Sequence, residues 1–143
     1  SFLGSCAYVR LNFSGGGENM NCTIWGHHGA GAGRAASGAL NRLQALMGAF
    51  EADIYLVGHD TRKVAAVLDQ LYLTQRTPVQ LRQRTRILAG TGGFVRGYDQ
   101  GSAHSGRPQG SYAEKALMAP AALGGILLKI RPVHGRLDIN VEL

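Results

Sequence analysis

The sequence predicts an α/β domain built on a mixed sheet with one main helix. Three observations carry this. A strand, a helix and a second strand follow one another between Cys22 and Val57. Two alternating segments, Cys6 to Phe13 and Val79 to Ile87, read as further strands. Leu123 to Ile130 and Arg136 to Glu142 read as a closing pair. At 143 residues the chain, 1–143, has the size of a single domain and enough sequence to bury a core.

Composition narrows the class. The hydrophobic share of 45% is ordinary for a globular protein, and no apolar run approaches the roughly 20 residues that a spanning helix needs. No membrane partner is expected. The start, Ser1 to Gly4, is neither a signal peptide nor an initiator; it fits processing, or a chain that begins partway through a longer protein. Formal charge is +6, and 12 of the 15 basic residues are Arg. Arg makes fork-like contacts with phosphate, which suits phosphorylated or nucleic-acid partners, although charge alone fits a basic protein without a polyanion partner equally well. Two cysteines, Cys6 and Cys22, cannot form a zinc cluster and make no CxxC. Pairing between neighbouring strands is open to them, but a reduced, cytoplasmic chain is the expectation.

Cys6 to Phe13 places Ala7, Val9 and Leu11 on one face and Tyr8 and Arg10 on the other, as a strand does. Ser14 to Asn19 is a turn cluster, and Cys22 to Trp25 is the return strand of an antiparallel hairpin. Ala35 to Phe50 is the firmest helix. Its apolar residues Ala39, Leu40, Leu43, Leu46, Met47 and Phe50 recur at spacings of three and four, and Ser37 can cap the first turn. Ile54 to Val57, bounded by Asp53 and Gly58, suits a strand buried on both faces, which completes a βαβ unit.

Val64 to Leu73 reads two ways. Val64, Val67, Leu68, Leu71 and Tyr72 match a helical stripe, which periodicity favours. A strand there would instead give Val79 to Ile87 a partner across a turn at Thr74 to Pro78. Gly90 to Gly110 is loop-rich and holds His104 at the surface. Ser111 to Ala121 carries a short helix that ends before Pro120, and His134 falls in the turn of the closing pair.

Chemistry gathers at the strand ends of the βαβ unit. Gly26 to Arg34 holds His27, His28 and four glycines, yet matches neither G-x-G-x-x-G nor the Walker pattern. A plain strand-to-helix turn explains the glycines but not the double histidine. His59 lies just past the end of the next strand. Open α/β sheets keep ligands at the carboxyl ends of their strands, so the imidazoles share one rim, and neutral imidazole is a common ligand for first-row metals. A lone histidine there is more often structural. Arg82, Arg84 and Arg86 share one strand face about 7 Å apart, close to the phosphate repeat of an extended single strand; the competing reading is a solvated outer face that guards against aggregation.

The pattern strand-HHGAGAGR-helix-DIYLVGHDTRK resembles the carboxyl half of the calcineurin-like metallophosphoesterases, in particular the bacterial and phage branch with a His-His-Gly, glycine-rich turn. GTGGFVRGY, then SYAEKA with a proline and LGG before a closing strand, is similar to that branch too, so the resemblance covers nearly the whole chain. It implies the second half of a four-layer αββα sandwich, and a strand for Val64 to Leu73. A half sandwich exposes apolar sheet surface, which implies self-association or a missing amino-terminal partner.

In that family five motifs bind two metals. An Asp-x-His, a bridging Asp and an Asn-His pair come from the amino half; a strand-end His and a Gly-His-x-His come from the carboxyl half. The resemblance makes His27 or His28 the strand-end ligand and His59 the first His of Gly-His-x-His. The second His of that motif falls on Thr61, a departure, with Asp60 beside it as a hard oxygen donor. Neither Asp-x-His nor Gly-Asn-His occurs in the 143 residues.

The activity implied is hydrolysis of a phosphate ester by attack of a metal-activated hydroxide on phosphorus. A divalent metal (Mn, Zn, Fe or Ni) would be bound by His27, His28, His59 and Asp60, with His28 and His59 as the catalytic pair. Arg34, Arg62 and Arg96 would steady the phosphate. A phosphodiester of nucleic acid is the expected substrate, tracked by Arg82, Arg84 and Arg86. The alternative is a non-catalytic module that binds nucleic acid or another chain through its basic face and carries an eroded metal site.

Overall fold

The βαβ unit read from the sequence stands at the centre of the molecule. The computed structural model describes residues 4–15, 18–30, 37–59, 61–75, 77–133 and 136–143. In chain order these form β1 (Cys6–Gly15), β2 (Glu18–His27), α1 (Ser37–Leu46), β3 (Ile54–Val57), β4 (Lys63–Leu73) and β5 (Leu81–Thr91). The minor elements β6 (Ala103–His104), β7 (Arg107–Pro108) and α2 (Tyr112–Lys115) follow, and β8 (Leu127–Val133) and β9 (Arg136–Glu142) close the chain.

The class is α+β, with a mixed sheet of order β1-β2-β3-β5-β4. β2, β3 and β5 run parallel, while β1 and β4 flank them antiparallel. β1 and β2 form the expected hairpin, with Val9 opposite Ile24 and Leu11 opposite Cys22. No helix among the described residues is long and apolar enough to cross a membrane.

Period-2 alternation in the strands produces two cores. Trp25, Tyr55, Val57 and Leu88 turn to one face of the sheet, where Ala39 and Leu43 of α1 cover them. Cys22, Ile54, Ile87 and Ala89 turn to the other, where Ile139, Leu128 and Ile130 of the β8–β9 hairpin pack on them. β3 is buried along most of its length because both layers close over it. Burying each of its large side chains contributes about 1.5–3 kcal/mol. The layers are therefore helix, five-stranded sheet and two-stranded sheet.

Several elements differ from the sequence reading in their bounds. Val64 to Leu73 forms the strand β4, as the resemblance implied and against the helix that periodicity alone favoured. Eleven residues of β5 pair with it in register, from Lys63 opposite Thr91 to Leu73 opposite Leu81, and this ladder outweighs a helical stripe rich in β-branched valine. The main helix ends at Leu46, where Met47 to Phe50 turn instead of continuing; its expected first residues, Ala35 and Ala36, lie outside the described residues. The strand expected from Leu123 begins at Leu127, because Gly124 forms an isolated bridge with Gly93 and the chain straightens only afterwards. The short helix after Gly110 is a single turn closed by a capping box between Ser111 and Glu114.

Candidate metal centre

β2 and β3 end side by side, which brings the two histidine-bearing loops together. Their backbones are locked by contacts that few side chains would allow. Gly58 N–H donates to the carbonyl of His27 at 3.0 Å, and His28 N–H donates to Ser5 at 2.8 Å. Gly29 has φ +92°, and a Cβ there would lie 2.6 Å from the Gly58 carbonyl oxygen. Glycine is required at that crossing for both reasons.

His59 adopts φ 65°, a left-handed conformation that costs a non-glycine residue about 1 kcal/mol. The turn carries its ring to the ring of His28. The centroids lie 5.4 Å apart at an interplanar angle of 68°, and both side chains are exposed on the rim. Two imidazoles that share an ion at about 2.1 Å per bond, at a tetrahedral angle, hold their centroids roughly 5 Å apart. The spacing of His28 and His59 suits that arrangement.

His27 is placed differently. Its Nδ1 accepts from Gly29 N–H at 2.8 Å, and its ring stacks on Trp25 at 5.9 Å, toward the helix side of the sheet. With Nδ1 accepting, the neutral ring carries its proton on Nε2 and presents no lone pair to a metal. Between the two histidines that the sequence left open, His28 is the one beside His59. Asp60 and Arg34 lie outside the described residues. Among the described residues no group of three or more His, Cys, Asp and Glu gathers at metal-binding distance.

The third parallel strand, β5, completes the rim with Thr91, Gly92 and Gly93. Thr61 packs against Gly93, and Lys63 crosses Gly92 and Gly124. Lys63 was not singled out from the sequence; the available signal was its place two residues after Thr61 in the GHDTRK stretch. Arg62 is half-buried close by, with its carbonyl against Gly90, and Arg96 is exposed in the loop after β5. His104 is exposed in β6, and His134 lies outside the described residues.

The Arg82, Arg84 and Arg86 row does lie on one face of β5, but its members are not equivalent. Arg84 donates from Nε to Asp53 at 2.7 Å and from Nη1 to Glu51 at 2.8 Å. Arg86 is buried and donates to the Tyr55 hydroxyl at 2.8 Å. Arg82 alone of the three is exposed, with Gln80 at 3.2 Å. Two guanidinium groups of the row are thus committed inside the fold, which explains their spacing without nucleic acid. The cysteines are both free: Cys6 stands opposite His27 and Cys22 opposite Leu11, so the hairpin register keeps them apart.

Compared with models of known families, with curated proteins and with solved structures, the chain matches none.

Proposed function

We propose that this domain is the carboxyl-terminal portion of a calcineurin-like metallophosphoesterase and supplies one half of a centre that hydrolyses phosphodiesters. The observation that carries the reading is the His28–His59 pair, 5.4 Å apart at the carboxyl ends of adjacent parallel strands. The HHGAGAGR and GHDTRK stretches support it through the resemblance.

In this reading His28 and His59 hold a divalent ion of the Mn, Zn, Fe or Ni type as neutral imidazoles. The ion, when bound, supplies Lewis-acid chemistry, lowering the pKa of water and offsetting charge on phosphoryl oxygens. Thr61 replaces an imidazole with a hydroxyl, a weaker donor, so this half binds its metal loosely. Lys63 and Arg96 supply positive charge for the phosphate. The carboxylate ligands come from a second polypeptide segment that carries the Asp-x-His and Gly-Asn-His motifs.

The fold proposed is half of a four-layer αββα sandwich. The apolar inner face of β4 and β5 beyond the reach of β8–β9 supports this: Val67, Leu71, Leu73 and Leu81 are 56–65% exposed. A second sheet laid on them would bury that surface.

The test is titration of the purified protein with Mn and Zn at up to millimolar concentration, followed by the shifts of the histidine ring signals. Weak binding that perturbs His28 and His59 together and is lost in His28→Ala/His59→Ala is expected. Wild-type protein that binds neither ion at millimolar concentration would overturn the reading.

A further inference from the structure

β3 is four residues long, whereas the strands on either side of it have ten and eleven. β3 pairs with β2 only from Ile24 to His27 and with β5 only from Ile87 to Gly90. Beyond its amino end, the remaining lengths of β2 and β5 face each other with no strand of the described residues between them. The result is an open cleft of about 1580 Å³.

Asp53 shows what the cleft accepts. Its N–H donates to Thr23 O of β2 at 2.8 Å, and its carbonyl accepts from Ile87 N–H of β5 at 2.9 Å, so this one residue, at a bend, bonds to the backbone of both edges. Its carboxylate then accepts from Thr23 N–H and from Arg84, which seals the upper end. The chain leaves the sheet at this point. Below it, strand alternation turns the backbone groups of Asn21 on β2 and of Gln83 and Thr85 on β5 toward the gap, since Thr23 and Ile87 already face that way. The gap is one strand wide where β3 fills it, because β2 and β5 are both paired to β3.

We propose that this cleft is a docking slot for an extended segment of another polypeptide, which continues β3 and pairs with β2 and β5 at once. Two facing backbone edges that each alternate donor and acceptor suit a peptide strand, and neither a small ligand nor a nucleic acid presents that pattern. Side-chain chemistry sets the sequence of the segment. Leu137 and Ile139 of β9 floor the slot on one side. On the other side stand Arg10 and Arg82, which make no ion pair among the described residues, whereas Glu51 and Asp53 are already held by Arg84. An occupant with apolar residues at alternate positions and acidic residues between them matches both walls. The slot is remote from the histidine rim, at the opposite ends of the parallel strands, and the proposal stands apart from any phosphoesterase activity.

The probe is an acetylated, amidated hexapeptide of alternating valine and glutamate, added to isotope-labelled protein while amide hydrogen exchange is followed. The expected result is slowed exchange at Asn21, Gln83 and Thr85. A peptide with proline at its two central positions, or with lysine in place of glutamate, should bind at least tenfold more weakly. Arg10→Glu/Arg82→Glu, both at exposed sites, should reverse the preference between the glutamate and lysine peptides. No slowing at millimolar peptide overturns the proposal, as does equal binding of the proline peptide. Slowing that grows with protein concentration alone would assign the slot to a second copy, and slowing by single-stranded DNA would assign it to nucleic acid; either result also overturns it.

Discussion

The rings of His28 and His59 meet edge to face at 5.4 Å although 31 positions of sequence separate them. Parallel pairing of β2 with β3 creates the meeting, and His27, one residue away, takes no part because its Nδ1 is spent on Gly29. The three histidines therefore predict different outcomes. If the pair holds a metal as proposed, His28→Ala and His59→Ala should each weaken Ni or Zn binding at least tenfold. His27→Ala should change it less than threefold. Titration calorimetry of the three variants makes the comparison, and an equal loss at His27 would move the ligand to that residue.

The backbone crossing beneath the rings predicts two opposite effects from two glycine-related changes. Gly29→Ala puts a methyl 2.6 Å from the Gly58 carbonyl at a φ of +92°, so it should destabilise by about 2 kcal/mol or more. His59→Gly relieves a left-handed residue and should leave stability unchanged or raise it by about 0.5–1 kcal/mol, while removing the imidazole that the proposed metal site needs. Urea denaturation measures both. A stable Gly29→Ala protein would mean that the two loops are not held together as described.

The same loops mark the limit of what sequence could show. Ile54 to Val57 and the α1 stripe were legible because a four-residue apolar run and a repeat of three and four residues each satisfy one kind of periodicity. β4 was not legible from periodicity, because Val64, Val67, Leu68, Leu71 and Tyr72 satisfy the helical repeat while its partner strand decides the outcome; only the resemblance pointed to a strand. The histidines could be assigned to one rim, but the choice between His27 and His28 depends on which neighbour accepts a hydrogen bond. For the Arg row, spacing gave the face correctly and gave no sign of Glu51, Asp53 and Tyr55, which approach from more than 30 residues away. Periodicity reports the face a side chain takes, and partners distant in sequence leave no local trace.

Arg84 joins β5 to the turn before β3 through Asp53 and Glu51, and the two carboxylates should contribute unequally. Glu51 is largely exposed, so Glu51→Gln should cost under about 1 kcal/mol. Asp53→Ala should cost about 2–3 kcal/mol, since it strands both a partly buried guanidinium and Thr23 N–H. The Arg84 hydrogen bond, and then its charge, hold the Glu51 carboxyl below its usual 4.5. A depressed carboxyl stabilises the fold above the usual value and loses that contribution as pH falls through the folded one. The gap between wild type and Glu51→Gln should therefore be constant from pH 7 to 5 and close in more acidic solution. A gap that widened on acidification would contradict the ion pair.

Cys22 lies fully buried between the sheet and the β8–β9 hairpin, and burial pushes its thiol up to about 11. Only the thiolate reacts, so Cys22 should resist Ellman's reagent at pH 8 until the domain unfolds. Cys6, half-buried in β1, should react first. Mass mapping of the labelled residue checks the order, and rapid labelling of Cys22 in the native protein would show that the hairpin does not seal this face.

The Tyr55 hydroxyl is saturated: it accepts from Ala52 N–H at 3.0 Å and from Arg86 at 2.8 Å, and donates to the Phe50 carbonyl at 2.6 Å. One donor and two acceptor sites are all a hydroxyl has. Tyr55→Phe leaves three groups without their partner and should cost about 2–3 kcal/mol. Arg86 is a different case, for among the described residues its Nε has no partner and no carboxylate pairs with its buried charge. Replacing a buried ion by an apolar chain of similar length often costs nothing, so Arg86→Met should be neutral or stabilising by about 1 kcal/mol. In the Arg86→Met background the Tyr55→Phe cost should fall by about 1 kcal/mol, because one of the stranded groups is gone. Guanidinium denaturation of the four proteins closes the cycle. Additive losses would mean that Arg86 and Tyr55 are not coupled, and that the buried guanidinium is held by something other than this hydroxyl.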